Sequence, residues 1–81
     1  MEKIVINGTT FTTFAKDGEQ YLCTGSPTGE FEFWFAGDIN DHYKVVGATS
    51  VVAGRNKTVD QLYAEWLEVT RFSREVLGIE F

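Results

Sequence analysis

Short β-branched and aromatic runs separated by turn residues fill the first two thirds of the chain, and where hydrophobic and polar positions alternate they do so with the period of two that is typical of β-strands. Segment 30–36 shows the pattern most clearly, because its phenylalanines share one parity while Glu32 and Trp34 share the other. The pattern predicts strands at 3–6, 9–15, 19–24, 30–36 and 43–53. The last strand is expected to bend at Gly47. Short connections with Asn-Gly and Asp-Gly turns favour antiparallel neighbours in a meander.

The period changes to 3.6 residues after Lys57, which indicates a helix. Thr58 is a suitable N-cap, and Gln61 follows at the spacing of a capping box. Gly78 is a suitable terminating residue. The spacing therefore predicts one amphipathic helix over 59–77.

Together these elements predict an α+β fold over 1–81 as a single domain: a five-stranded antiparallel β-meander followed by one C-terminal amphipathic helix packed on one face. The helix is expected to contact the phenylalanines of segment 30–36. The predicted contact residues on the helix are Leu62, Trp66, Val69 and Val76.

Composition narrows the class of protein. The chain has 81 residues, 43% of them hydrophobic, and a net charge of -5, which argues against a generic nucleic-acid binder. Cys23 is the one cysteine, so no internal disulfide forms. No apolar run reaches the ~18–20 residues of a membrane span, and the N-terminus lacks a signal-peptide pattern. The sequence predicts a cytoplasmic protein that does not enter a membrane.

Residues with reactive side chains are few and scattered. His42 has only aspartates near it in sequence, and a metal site needs three or four converging ligands. Cys23 alternates with apolar residues in a predicted strand, where a free cysteine is usually a small buried hydrophobe. We predict no metal, no cofactor and no enzymatic activity.

One cationic corner is a weak candidate for anion binding. Arg55 and Lys57 come just before the predicted helix, where free N–H groups and the helix dipole favour an anion. The alternative is a turn solvated by charged residues.

The strongest functional prediction comes from the sheet face that the helix leaves free. A single helix covers only one face of a five-stranded sheet, and segment 43–53 is apolar on both parities. A large uncovered apolar patch usually marks an interface. There are two alternatives: the sheet closes into a barrel, or the C-terminal tail folds over the patch. Either would hide the patch within the monomer. The predicted partner-binding residues are Trp34, Val46 and Val52, with Glu30 and Glu32 as a polar rim and Phe72 at the helix margin.

The favoured function is a small non-enzymatic protein-binding module. Its partner would be another protein or a second copy of the chain, and the size suits the modulators and inhibitors of host proteins made by phages and mobile elements. One alternative is single-stranded nucleic-acid binding through outward aromatics with Arg55 and Lys57. Another alternative is a small virion or assembly component.

Overall fold

Six strands and two helices follow one another along the described residues, 1–36 and 40–81, of the structure, a computed structural model; side chains are described for 1–30 and 45–81. The elements are β1 (Glu2–Ile6), β2 (Thr9–Lys16), β3 (Glu19–Gly25), β4 (Phe31–Ala36), β5 (Asn40–Val45), β6 (Ala48–Arg55), α1 (Val59–Val69) and α2 (Arg71–Glu75). The result is a small α+β domain with an antiparallel sheet and a C-terminal helical segment.

The main sheet has four strands in the order β1-β2-β3-β6, and β4 pairs with β5 in a separate two-stranded sheet. The prediction of one five-stranded meander is therefore wrong, although β1 to β3 do form a meander. The β4–β5 hairpin leaves the main sheet, and β6 returns beside β3.

Local turn chemistry explains the first two hairpins. Asn7 and Gly8 have φ values of 48° and 83°, and Asp17 and Gly18 have 52° and 80°. A two-residue hairpin of type I′ needs positive φ at both central residues, which Asn-Gly and Asp-Gly pairs adopt most easily. Both predicted turns are confirmed.

Gly47 divides the predicted fifth strand, 43–53, into β5 and β6. Its φ is +91°, and a side chain there would place a Cβ 2.7 Å from the carbonyl oxygen of Ser26. The Ser26 amide also donates to the Gly47 carbonyl oxygen at 3.3 Å. Gly47 therefore lies in the turn that separates β5 from β6, at the position where the sequence predicted a bend.

The capping box at the start of α1 is confirmed. The Thr58 hydroxyl accepts from the Gln61 amide at 3.2 Å, and the Thr58 amide donates to Gln61 Oε1 at 2.8 Å. These bonds satisfy groups that have no partner inside the helix.

The predicted helix over 59–77 is interrupted at Thr70, which is a correction to its length. The Thr70 hydroxyl donates to the Trp66 carbonyl oxygen at 2.6 Å, and the Arg74 guanidinium donates to that of Leu67 at 2.8 Å. These side chains thus donate hydrogen bonds to the last carbonyl groups of α1. A threonine hydroxyl that bonds to a carbonyl group one turn earlier often bends a helix. Neither described helix has the length and apolar character needed to cross a bilayer.

The core lies between α1 and one face of the main sheet. Trp66 is at its centre: its ring packs edge-on against Phe11 with centroids 4.8 Å apart, and its Nε1 donates to Ser50 Oγ at 2.7 Å. The indole N–H thus keeps a partner when it is buried. The buried core residues are Phe11, Leu22, Val52, Leu62 and Trp66.

The opposite face of the main sheet is also covered. Leu22 points to the helix, so its neighbours Tyr21 and Cys23 point away. Tyr21 is nevertheless only 1% exposed and Cys23 is 0% exposed. Tyr21 stacks on Phe14 with centroids 4.9 Å apart. The middle of the second face is therefore not open to a partner.

Candidate protein-binding surface

The structure breaks up the apolar patch that the sequence predicted. Val52 points to the helix and is 8% exposed within the core, so its assignment to an outer binding face is wrong. Val46 is half-buried in the turn between β5 and β6, where its backbone bonds to Thr28 and Glu30. Gly47 separates the two valines, since Val46 lies before it in the turn and Val52 lies in β6.

The remaining members of that predicted patch have different outcomes. Trp34 pairs in backbone register with His42, but its side chain lies outside the described residues, as does that of Glu32. The predictions for Trp34 and Glu32 therefore stay predictions. Glu30 is exposed just before β4 begins.

Phe72 is the apolar site residue that the structure leaves open, among the predicted ones whose side chains are described. Its exposed fraction is 63%, and three neighbours in sequence are similarly open: Val69 at 65%, Val76 at 66% and Leu77 at 59%. The predicted helix contacts with the phenylalanines of segment 30–36 stay predictions, because those side chains lie outside the described residues, but neither Val69 nor Val76 is buried. We call Val69, Phe72, Val76 and Leu77 the C-terminal apolar strip.

Local hydrogen bonds gather these residues. The amides of Val76 and Leu77 donate to the carbonyl oxygen of Phe72 at 2.9 and 3.3 Å, which places them one turn from it. Val69 is the last residue of α1 and precedes Phe72 by three residues, on the other side of the break at Thr70. Four large apolar side chains are therefore concentrated in one short segment.

Contacts on the inner side of this segment explain why the strip faces outward. The Arg74 guanidinium lies 5.4 Å from the centre of the Trp66 ring and donates to Thr70 Oγ1 at 3.0 Å. Phe81 packs edge-on against the same indole with centroids 5.7 Å apart. Arg74 and Phe81 thus occupy the surface of the core, and the strip residues remain outside it.

Sequence periodicity identified Phe72 at the helix margin but missed the rest of the strip, because it placed Val69, Val76 and Leu77 on the same stripe as Leu62 and Trp66. Thr70 is the residue in the sequence that indicates where the predicted helix is interrupted. It is a β-branched residue in the middle of the predicted helix, and its hydroxyl competes for a backbone carbonyl group.

The predicted anion-binding corner does not present two unpaired cations. Lys57 forms an ion pair with Glu65, and its aliphatic chain lies against Gly54. The Arg55 guanidinium lies beside Gly18, where an added Cβ would be 2.6 Å from Nη1. The two basic side chains therefore follow the protein surface, and Lys57 is already neutralised.

Cys23 is placed as a core residue. Burial raises the pKa of its thiol to about 11, and its Sγ lies 3.5 Å from the Thr12 carbonyl oxygen. A thiol with a raised pKa has little of the thiolate that reacts as a nucleophile. Among the described residues, no three His, Cys, Asp or Glu side chains come together as a metal site.

These observations leave the C-terminal apolar strip as the candidate site. Its chemistry is that of a contact surface, with apolar side chains at the centre and charged ones beside them. Comparison with family models, with curated proteins and with solved structures gives no match to this chain.

Proposed function

We propose that this chain is a non-enzymatic protein-binding module that captures a partner through its C-terminal apolar strip. The observation that carries the proposal is the exposure of Val69, Phe72, Val76 and Leu77, each between 59% and 66%. Exposed apolar patches rimmed by polar residues usually mark interaction sites.

The residues around the strip support a protein partner. Arg71 and Glu75 form an exposed ion pair at 3.3 Å beside Phe72, and Glu68 is exposed beside Val69. Protein interfaces combine an apolar centre that includes aromatic anchors with a polar, solvated rim. Phe72 is the aromatic side chain of the strip and is our proposed anchor.

The partner is proposed to be a different protein. A second copy of the chain would bring another net charge of -5 to the interface, and like charges oppose association. Light scattering tests this choice: the chain alone is expected to have the mass of a monomer, and single-stranded DNA is expected to leave that mass unchanged.

Affinity capture with a single-site variant tests the strip directly. The tagged wild-type chain and Phe72→Ser are compared in extracts of the source cells, and the protein retained by the wild type is then purified and titrated by calorimetry. Loss of an anchor residue typically costs more than about 1 kcal/mol, so the affinity is expected to fall by at least about fivefold.

Val5→Ser is the matched control because Val5 is 68% exposed but lies on β1, away from the strip. It is expected to bind the partner as the wild type does. Equal affinities of wild type and Phe72→Ser contradict the proposal, and so does an equal loss in Val5→Ser.

A further inference from the structure

Strand β6 is an edge of the main sheet, and its centre carries none of the features that usually block strand addition. It pairs with β3 on one side and has no strand on the other side within the described residues. Edge strands are commonly protected by charged residues, proline or bulges. Residues 50–53 read Ser-Val-Val-Ala, whereas the opposite edge, β1, carries Glu2 and Lys3.

A groove runs between β6 and α1. It has a volume of about 530 Å³ and is lined by Val52, Ala53, Ala64, Glu65, Glu68 and Val69. Val52 and Ala53 are consecutive in a strand, so their side chains point to opposite faces of the sheet. Both can line the same groove only if the groove extends to the edge of that strand. The groove therefore gives access to the backbone of β6. Through Val69 it is continuous with the C-terminal apolar strip.

The charge on the groove wall indicates the kind of partner. Glu65 is neutralised by Lys57, whereas Glu68 is exposed and has no ion pair among the described residues. The whole chain is negative as well. A basic side chain would meet Glu68 favourably, and a second copy of the chain would bring a second Glu68.

We infer that the groove binds an extended basic segment of the partner protein, which pairs with β6 as a fifth strand of the main sheet. Apolar side chains of the segment pack on Ala64 and Val69, which are exposed in the groove, and a lysine or arginine lies opposite Glu68. Backbone hydrogen bonds give such strand addition its affinity, and alternate side chains give its specificity. This inference rests on the proposed function, because it names the kind of partner segment that the same surface receives.

Peptide titration followed by NMR tests the inference. The probe is the acetylated and amidated hexapeptide Lys-Val-Lys-Val-Lys-Val. Its binding is expected to shift the amide signals of residues 50–53 and 64–69, and hydrogen exchange of the β6 amides is expected to slow by roughly tenfold when the free peptide is at ten times its dissociation constant.

Two variants test the charge. Glu68→Lys is expected to weaken peptide binding by about tenfold, since it replaces an attraction by a repulsion. Glu80→Lys is the matched control, because Glu80 is exposed and does not line the groove. Glu80→Lys makes the same charge change but is expected to weaken peptide binding less, because it alters only the long-range attraction between chain and peptide, which salt screens. Equal effects of the two variants contradict the inference.

Two methylated peptides test the backbone pairing. One is N-methylated at every valine and the other at every lysine, which removes donors from opposite edges of the peptide strand. At least one of the two methylated peptides is expected not to protect the β6 amides from hydrogen exchange. Unchanged binding by both overturns the inference, as does a lack of shifts at residues 50–53 with the parent peptide.

Failure here is distinguishable from failure of the proposed function. If the parent peptide leaves β6 unaffected while Phe72→Ser still abolishes partner capture, the strip binds the partner without strand addition. If the peptide protects β6 while Phe72→Ser captures the partner normally, the groove binds peptides and the strip is not the anchor.

Discussion

Helix α1 and the segment that follows it come from one continuous helical pattern, yet only α1 builds the core. Leu62 and Trp66 of α1 are 0% and 2% exposed, whereas α2 has no buried residue. Helix α1 begins with a complete capping box, and α2 has no side-chain cap. Apolar spacing therefore identified residues able to form an apolar face, but it did not identify which of them the sheet covers.

The comparison separates two uses of apolar residues. The buried residues of α1, Leu62 and Trp66, stabilise the fold by leaving water, at about 25 cal/mol per Å² of buried apolar surface. The residues of the C-terminal apolar strip remain in contact with water and contribute little to folding. Variants of the two regions are thus expected to affect different properties, and the predictions below follow from the largest effect on stability to the smallest.

Trp66→Ala is expected to have the largest effect, lowering the free energy of unfolding by about 3–5 kcal/mol. The indole contacts Phe11, Phe81 and Arg74 and bonds to Ser50, and all of these contacts would be lost. Urea unfolding measures the change. Phe72→Ala is the matched control, and an equal loss in both variants would remove the distinction between core and strip.

Arg74→Ala is expected to lower stability by roughly 1–3 kcal/mol, because it removes charge-assisted hydrogen bonds and a contact with the Trp66 ring. Arg71→Ala removes the same charge from an exposed ion pair and is expected to cost less than about 1 kcal/mol. Thermal unfolding compares the two. Equal values would mean that Arg74 does not hold the C-terminal segment on α1.

Thr58→Ala is expected to lower the free energy of unfolding by about 0.5–2 kcal/mol through loss of the α1 cap. Thr58→Ser keeps the hydroxyl and is expected to retain most of the stability. Chemical denaturation of both variants is the measurement. A loss as large in the serine variant would assign the effect to the missing methyl group.

Phe72→Ser is expected to change stability by less than about 0.5 kcal/mol, since surface substitutions away from caps and buried networks usually fall in that range. The same variant is expected to lose partner binding. Differential scanning fluorimetry and calorimetry measure the two effects. A large fall in melting temperature would show that Phe72 belongs to the core and would remove the contrast with α1.

Local chemistry was predictable because it depends on a few adjacent residues. The turns at Asn7-Gly8 and Asp17-Gly18 follow from the ease with which these pairs adopt positive φ. The cap at Thr58 follows from a hydroxyl and an amide side chain three residues apart. Alternation also identified the strand segments, apart from the division of the last one at Gly47.

Burial and pairing depended on the whole fold. Gly47 suits many turn geometries, and only the fold brings it close to Ser26 in the turn between β5 and β6. Beyond this turn, β6 pairs with β3 and Val52 lies in the core. Phe72 and Val76, which follow the break at Thr70, lie outside the core, and so does Val69 at the end of α1. Residues distant in sequence compete for the same buried volume, so only the tertiary structure decided which apolar residues fold the chain and which remain to bind a partner.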